Sequence, residues 1–231
     1  MKKTIRPLGQ VLDDAPWMQS LSPAARERVK ADAYESHHRV KDLVARTGDP
    51  VHAWIGVAEG LLKATDVIRT GRVVMFNGIP AGAWVGEGSV IKRELRRYDI
   101  FAVRPTRIVH VPRATFRWLL ETSFEFNSFI IEHLNERLSQ FMAMVETDRL
   151  SDPCARVARA ISGLYNPVLY PGLGPFLQVS QEELGEVAGL SRQRTNAAIK
   201  ALGKAGLVRP VYGGLLIVDL PALRTYGDGT G

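Results

Sequence analysis

The segment LSRQRTNAAIKAL gathers side chains with flat hydrogen-bonding edges at one end: Arg192, Gln193, Arg194 and Asn196. An Arg side chain can pair with two acceptors of a guanine, and Gln or Asn pairs with adenine in the same bidentate way. Positions 192, 193 and 196 are helical neighbours, so they share one face of a helix. The segment therefore predicts a helix whose first turns read base edges in the major groove of DNA.

The elements around this segment indicate a helix-turn-helix. Ser180 and Glu183 have the S-x-x-E spacing of a capping box that starts a short helix, and Gly189 ends it. Ser191 then caps the second helix. Two helices joined by so tight a turn cross at a steep angle. The downstream segment LVRPVYGGLLIV has two apolar runs around a glycine turn, which predicts a β-hairpin and hence a winged helix.

Positive charge is concentrated in this part of the chain. The net charge of the 231 residues is +6, but from Val187 to Val218 there are five basic residues and no acidic one. Lys200 suits a backbone phosphate, and we add the cap residues Ser180 and Ser191 to the expected DNA contacts. A solvated amphipathic helix explains the arginines alone, but not the caps, the turn and the hairpin in this order. The alternative is an effector-binding regulatory module whose winged helix contacts a protein.

The N-terminal half has the pattern of a small β-domain. Short apolar runs separated by Gly and Pro extend from Val40 to Val111. No helical period lies between these runs, so a sandwich or barrel is favoured over a parallel sheet. A short helix is expected before them, from Ser22 to about Tyr34, because Ser22 can cap it and Pro23 suits its first position.

A long helix is predicted from about Glu125 to Arg149, where apolar residues recur at three- and four-residue steps without Gly or Pro. These apolar residues cover more than one side, so we expect the β-domain on one side and a second copy of the chain on the other. Asp152 and Pro153 then start a new helix. The predicted fold is α+β, with a sensor domain over 1–123, a dimerisation helix over 124–150 and a winged-helix domain over 151–231.

The composition argues against several kinds of chemistry. Cys154 is the single cysteine, which excludes an internal disulfide and disfavours an iron–sulfur cluster. Adjacent His37 and His38 point to opposite faces of a strand, so they form a poor chelate, and His133 is expected on the surface of the long helix. No catalytic triad order and no phosphate-binding loop motif occurs. We expect no enzyme and no metal; haem on one histidine and a metal enzyme on a cupin-like barrel are lesser alternatives.

The cellular location that we expect follows from two features that the sequence does not contain. The N-terminus has no apolar run of signal-peptide length, and no window reaches the length of a membrane span. We therefore expect a soluble, cytoplasmic protein.

On these residues the sequence resembles the catabolite activator and FNR (CRP/FNR) superfamily of bacterial transcription regulators. QEELGEVAGLSRQRTN resembles the family's helix-turn-helix, GDPVHAWIGVAEGLL its glycine–acid turn and following strand, and GAWVGEG its glycine-rich phosphate cassette. The resemblance implies an N-terminal β-roll of the cyclic-nucleotide-binding kind and a hinge at Asp152. It also implies a homodimeric, effector-controlled regulator that binds a palindromic operator on double-stranded DNA and contacts RNA polymerase.

The resemblance also implies an effector site, on the cassette and on the long helix: Gly86, Glu87, Arg97, Tyr98, Phe141 and Met142. In cyclic AMP responders the cassette Glu binds ribose, and an Arg followed by Ser or Thr binds the phosphate about ten residues later. Arg97 keeps this spacing, but Tyr98 replaces the small hydroxyl residue. Phe141 and Met142 replace two polar purine contacts, and each lost partner costs about 1–3 kcal/mol. We expect a small effector other than cyclic AMP, or a filled core and a constitutively active protein.

Overall fold

The computed structural model describes residues 6–67, 73–147, 152–171 and 173–227. Their contacts group the chain into two compact units, Met1–Leu62 with Ile79–Glu136, and Lys63–Gly78 with Arg137–Gly231. The α+β class expected from the sequence is confirmed. The domain limits 1–123, 124–150 and 151–231 stay predictions.

Three short helices precede the β-domain: α1 (Leu8–Asp13), α2 (Pro16–Gln19) and α3 (Pro23–Asp32). The third matches the expected helix, because the Ser22 hydroxyl accepts a hydrogen bond from the Ala25 amide at 3.3 Å. The first two have no apolar period of their own, and nothing in the sequence analysis predicts them. Their buried side chains hold them in place, because helices this short are unstable without tertiary contacts.

Of the eight strands that the structure describes in the β-domain, six lie within the apolar region between Val40 and Val111, one precedes it and one ends a single residue beyond it. One antiparallel sheet has the order β1-β8-β3-β6 and contains β1 (Tyr34–His38), β3 (Ala53–Glu59), β6 (Trp84–Val85) and β8 (Thr106–Pro112). The second has the order β2-β7-β4-β5 and contains β2 (Leu43–Ala45), β4 (Leu61–Val67), β5 (Val73–Pro80) and β7 (Asp99–Ala102). A six-residue helix, α4 (Glu87–Lys92), follows β6.

The register of the first sheet aligns one residue from each of its strands. Tyr34 lies opposite His110, His110 opposite Ile55, and Ile55 opposite Val85. Directly opposite residues in antiparallel strands point to the same face. The four side chains therefore form a transverse row across one face of the sheet, and this row ends beside Gly86.

The other face of the same sheet carries an aromatic core. The Trp54 ring lies 5.2 Å from Trp17, 4.5 Å from Trp84, 5.2 Å from Phe116 and 5.9 Å from Phe126, between ring centroids. These contacts join α2, the sheet and two further helices, α5 (Arg113–Thr122) and α6 (Phe124–Thr147). Aromatic rings bury large areas, so this core fixes the start of α6 against the sheet.

The long helix α6 keeps an apolar face in solvent. Ile131, Leu138, Met142 and Val145 are each more than half exposed in the single chain. The predicted extension of this helix to Arg149 lies outside the described residues. An apolar face of this length is the surface for which the sequence analysis expects a second copy.

The C-terminal unit contains the helices α7 (Pro153–Gly163), α8 (Gln181–Ala188), α9 (Arg192–Lys204) and α10 (Leu220–Thr225). Its three-stranded sheet has the order β10-β11-β9, with β9 (Phe176–Leu177), β10 (Val208–Val211) and β11 (Gly214–Ile217). Asp152 starts α7 as expected, because its carboxylate accepts hydrogen bonds from the amides of Cys154 and Ala155 at 3.0 and 3.2 Å. The hairpin of β10 and β11 is the expected wing.

Candidate DNA-reading surface and effector site

The turn between α8 and α9 is built as the sequence analysis expects. Ser180 and Glu183 exchange the two hydrogen bonds of a capping box, at 2.6 and 3.1 Å. Gly189 ends α8 in the left-handed region, with φ of +65°. Ser191 caps α9 by accepting a hydrogen bond from the Arg194 amide at 3.4 Å. Both cap serines are exposed, although each hydroxyl already has a partner in its own helix.

The close approach of the two helices depends on Gly185. A Cβ atom there would lie 2.9 Å from the Leu190 carbonyl oxygen and 3.0 Å from the Thr195 hydroxyl oxygen. Thr195 is fully buried, and its hydroxyl donates to the Ser191 carbonyl at 3.0 Å. The absence of a side chain at position 185 therefore lets α9 sit against α8.

The polar end of α9 faces away from the core of its unit. Arg192, Gln193, Arg194 and Lys200 are exposed and Asn196 is half-buried. The opposite face is buried and packs on α7 and α8 through Ala198, Ile199 and Leu202. The donors singled out from the sequence thus share an accessible surface at the start of one helix, and we call it the reading surface.

The cassette glycine and glutamate lie at the start of α4. Gly86 is the N-terminal cap of this helix and has φ of +94°. Glu87 is only 4% exposed, and its Oε1 lies 3.8 Å from Nε2 of His133, which is 1% exposed. His133 Nε2 also lies 3.2 Å from the Trp84 carbonyl oxygen. The expectation of a surface position for His133 is wrong, because the helix turns this ring onto the sheet.

Arg96, and not Arg97, points at the cassette. Arg96 is 6% exposed, and a Cβ atom on Gly86 would lie 3.3 Å from its Nη1. Two backbone hydrogen bonds with the turn at Gly48 and Asp49 hold Arg96, at 2.8 and 2.9 Å. Arg97 faces solvent and pairs with Glu94 at 2.8 Å. Between α4 and Arg96 the chain passes through a left-handed residue, Arg93, with φ of +58°.

Two family models match the chain, the cyclic nucleotide-binding domain over residues 36–123 and the Crp-like helix-turn-helix domain over residues 155–226. The chain belongs to the CRP/FNR family of transcriptional regulators. It is accordingly a transcription regulator with a DNA-binding helix-turn-helix domain, and not an enzyme.

Three members or structural neighbours illustrate the range of the similarity. Transcriptional regulator SdrP of Thermus thermophilus is 25% identical over 180 residues, which cover 76% of this chain and 84% of SdrP. The cAMP-activated global transcriptional regulator Vfr of Pseudomonas aeruginosa is 21% identical over 199 residues, which cover 83% of this chain and 92% of Vfr. The structure of FixK2 from Bradyrhizobium japonicum has the same fold, with a TM-score of 0.66 and 14% identity over 84% of this chain and 96% of FixK2.

The two helix residues expected in the effector site, Phe141 and Met142, lie on α6, and their role stays a prediction. Phe141 and Met142 are 44% and 63% exposed in the single chain. The α6 residue that contacts the cassette is His133, more than two turns earlier. The sequence pattern did not indicate this contact, because periodicity does not show at which turn a helix meets a sheet.

A polar cluster on β1 and β8 was missed by the sequence analysis. The Ser36 Oγ lies 2.7 Å from His110 Nε2 and 2.9 Å from His38 Nε2. The Tyr34 and His110 rings are stacked, 4.7 Å apart and 5° from parallel. Burial first, and then the charges of His38 and Arg96, lower the pKa of His110 to about 4. The signal for this cluster was the period-two placement of Tyr34, Ser36 and His38, which a strand turns to one face.

Two further properties concern only the residues that the structure describes. Among them, no three His, Cys, Asp or Glu side chains stand together as ligands of a metal ion. None of their helices combines the length and the apolar character needed to cross a bilayer.

Proposed function

We propose that the protein is a homodimeric, cytoplasmic regulator that binds a specific palindromic DNA operator through its reading surface. The single observation that carries this proposal is the exposure of Arg192 and Gln193, with the half-buried Asn196 beside them, at the capped start of a helix whose other face is buried. In a helix-turn-helix these positions meet base edges, and the dimer places two such helices about 34 Å apart, one DNA turn. RNA polymerase is the further partner that we infer from the family.

The second copy is proposed to bind along α6. Leu138 and Met142 are 60% and 63% exposed on a 24-residue helix, and Ile131 lies two turns earlier on the same side. Apolar residues repeating at helical spacing form a seam that a second identical helix can cover. Dimerisation would turn an exposed apolar face into a buried interface.

The cassette supports an effector site with one strong anion contact. Arg96 is buried beside Gly86 and its Nη1 has no hydrogen-bond partner among the described residues. A buried donor without a partner costs about 1–3 kcal/mol, which an anionic group of an effector would recover. We propose that this effector is a small molecule other than cyclic AMP. The alternative is that the contact of Glu87 with His133 fills the site and the protein is constitutively active.

Selection of duplexes from a random pool tests the DNA assignment. We expect the protein to select one palindrome with half-sites one helical turn apart. Arg192→Ala should relax selection at one position of each half-site and cost about 1–3 kcal/mol there. Arg117→Ala removes the same charge from α5 and should leave the selected sequence unchanged. Sequence-indifferent binding that disappears at moderate salt would instead support a winged helix that contacts protein.

Sedimentation equilibrium tests the dimer. Leu138→Asp places a charge on the proposed seam and should give monomers at micromolar protein, because burying an unpaired carboxylate is costly. Ser139→Asp adds the same charge to the neighbouring exposed position and should leave the dimer intact. Equal dissociation of the two variants would refute an interface along α6.

A further inference from the structure

We propose that Arg156 is a positioning residue for DNA recognition, which fixes the turn between α8 and α9 and thereby aims the reading surface. This inference rests on the proposed function and adds to it a residue that precedes the helix-turn-helix. Arg156 lies on α7, about one turn after the Asp152 cap. Its Nη2 donates a hydrogen bond to the carbonyl oxygen of Ala188, the last residue of α8, at 3.1 Å.

The Ala188 carbonyl is a natural partner for this guanidinium. The last four carbonyls of an α-helix have no amide partner within the helix, and a side-chain donor can supply one. A cation at the C-terminal end of a helix is also favoured by the helix dipole. Among the residues that the structure describes, no carboxylate is paired with the half-buried Arg156. The guanidinium is therefore directed at the end of α8 and is not held by an ion pair.

Position 189 leaves the space that the guanidinium occupies. A Cβ atom on Gly189 would lie 3.0 Å from Nη2 of Arg156, the same nitrogen that bonds the Ala188 carbonyl. The left-handed conformation of Gly189, with φ of +65°, would by itself also admit Asn. The guanidinium adds a second constraint, because any side chain at this position would displace the donating nitrogen. Gly189 thus serves both the turn and its contact with α7.

The hydrogen bond fixes the direction in which the chain leaves α8. The Ala188 carbonyl belongs to the planar peptide unit that joins Ala188 to Gly189, so holding its oxygen holds that plane. A single residue separates Gly189 from Ser191, the cap of α9. A rotation of the peptide plane would therefore change the direction in which the first turn of α9, with its reading surface, points.

Reading of bases is more sensitive to such a rotation than attraction to phosphates. A hydrogen bond to a base edge requires a donor–acceptor distance within a range of about 0.5 Å and a nearly linear angle. The attraction between a cation and a phosphate decreases slowly with distance and has little directional preference. Loss of the Arg156 contact should therefore reduce sequence choice more than general affinity for DNA.

Apolar packing between the helices does not replace this directional contact. Val157 and Ile161 of α7 share a buried core with Leu184 of α8 and Ile199 of α9. Burial of apolar surface is non-directional, whereas a hydrogen bond fixes an angle as well as a distance. The core should therefore keep the unit folded when the guanidinium is removed, while the turn loses its restraint.

Titration of full-length variants with the selected operator and with random duplex tests the inference. Arg156→Met keeps the apolar stem, and it should lower operator affinity at least about ten-fold and random-duplex affinity less than about two-fold. The slope of log K against log salt should stay unchanged, because this guanidinium neutralises no phosphate. Arg156→Lys should stay within about three-fold of wild type, since a single bond to a carbonyl needs a donor and not the planar fork.

Arg224→Met is the matched control for loss of the guanidinium. Nη2 of Arg224 also donates to a backbone carbonyl, that of Tyr165 at 2.9 Å, but it does so from α10. The substitution removes the same charge and the same kind of hydrogen bond from the same unit. Operator affinity should be unchanged in this variant.

Gly189→Asn displaces the guanidinium without removing its charge. This variant should lower operator affinity as much as Arg156→Met, and the double variant should bind no more weakly than either single variant, because both remove one contact. Gly206→Asn is the matched control. Gly206 is also left-handed, with φ of +76°, and a Cβ atom there would meet nothing within 4 Å. Its substitution should leave operator affinity unchanged.

Amide hydrogen exchange in the free protein follows the turn without DNA. The Leu190 amide donates to the Gly185 carbonyl at 2.9 Å. It should exchange about ten-fold faster in Arg156→Met and in Gly189→Asn, and at the wild-type rate in both controls. The Thr195 amide, bonded to the Ser191 carbonyl at 2.9 Å within α9, should keep its rate in every variant.

The possible results separate this inference from the DNA assignment. Wild-type operator affinity or wild-type exchange of the Leu190 amide in Arg156→Met would overturn the role of Arg156 and leave the DNA assignment in place. Equal losses on both duplexes, with a salt slope lower by about one unit, would place Arg156 on a phosphate and overturn the inference as well. A wild-type protein that selects no duplex would refute the proposed function, on which the inference rests.

Discussion

The imidazole of His133 lies 3.8 Å from the carboxylate of Glu87, and both side chains are almost fully buried. Because the Trp84 carbonyl can only accept, the hydrogen bond at 3.2 Å requires the proton on Nε2 of His133. One ring on α6 is thereby tied to the strand before the cassette and to the cassette itself. A displacement of α6 along its axis would have to break both contacts.

Removal of this ring should destabilise the sensor domain. His133→Ala leaves the Trp84 carbonyl and the Glu87 carboxylate without the ring and opens a cavity, so we expect a loss of about 2–4 kcal/mol in the free energy of unfolding. Urea denaturation measures it. A double-mutant cycle with Glu87→Gln should return a coupling of about 0.5–2 kcal/mol. If the effects of the two substitutions on the free energy of unfolding simply add, the 3.8 Å contact between His133 and Glu87 contributes nothing to stability.

Gly185 should be intolerant of any side chain. Gly185→Ala would place Cβ within 3.0 Å of both the Leu190 carbonyl and the Thr195 hydroxyl, so α8 and α9 must separate. We expect the free energy of unfolding to decrease by about 1–3 kcal/mol and operator binding to become much weaker. Gly203→Ala is the matched control in α9, because its Cβ would meet the nearest atom at an ordinary 3.6 Å. The control should be neutral or gain up to about 1 kcal/mol from helix propensity.

Lys200 should contribute to affinity without contributing to sequence choice. It is exposed on the same helix as the reading surface, two turns further along. Lys200→Ala should weaken binding to specific and random duplexes about equally and lower the slope of log K against log salt by about one unit. Titrations at several salt concentrations with both duplexes measure this. If Lys200→Ala lowered the affinity only for the selected operator, Lys200 would contact a base and not a phosphate.

His110 should make the protein less stable as pH falls. The pKa of His110 is lowered to about 4 by burial, His38 and Arg96, whereas an unfolded histidine titrates near about 6.5. The folded pKa is the lower one, so the neutral ring stabilises the fold fully above about pH 6.5 and this contribution is lost as pH decreases toward 4. We expect a decrease of about 1–3 kcal/mol over that window, smaller than the full shift implies because the ring is partly solvated.

Unfolding at several pH values compares wild type with His110→Gln. The pH-dependent loss should be reduced in this variant, while His52→Gln, an exposed histidine of the same domain, should keep the wild-type profile. If the free energy of unfolding depended on pH in the same way in all three proteins, His110 would not be the source of the pH dependence.

Local signals were sufficient for the helix-turn-helix and for the start of α7. Ser180, Gly189, Ser191 and Asp152 act on the few residues that follow or precede them, so caps and turns could be placed from the sequence. The exposure of Arg192 also followed, because the apolar residues at helical spacing fix which face of α9 is buried. Seven residues stay predicted DNA contacts: Ser180, Ser191, Arg192, Gln193, Arg194, Asn196 and Lys200.

Only the tertiary structure decided which residues surround the cassette. Spacing indicated Arg97, but backbone pairing with the distant turn at Gly48 and Asp49 turned Arg96 inward. The meeting of His133 with Glu87, and of Ser36 with His110, joins residues 46 and 74 positions apart in the chain. Periodicity describes which face a residue occupies within its own element. Which side chains of two elements meet depends on where those elements cross, and packing of the whole domain sets that crossing.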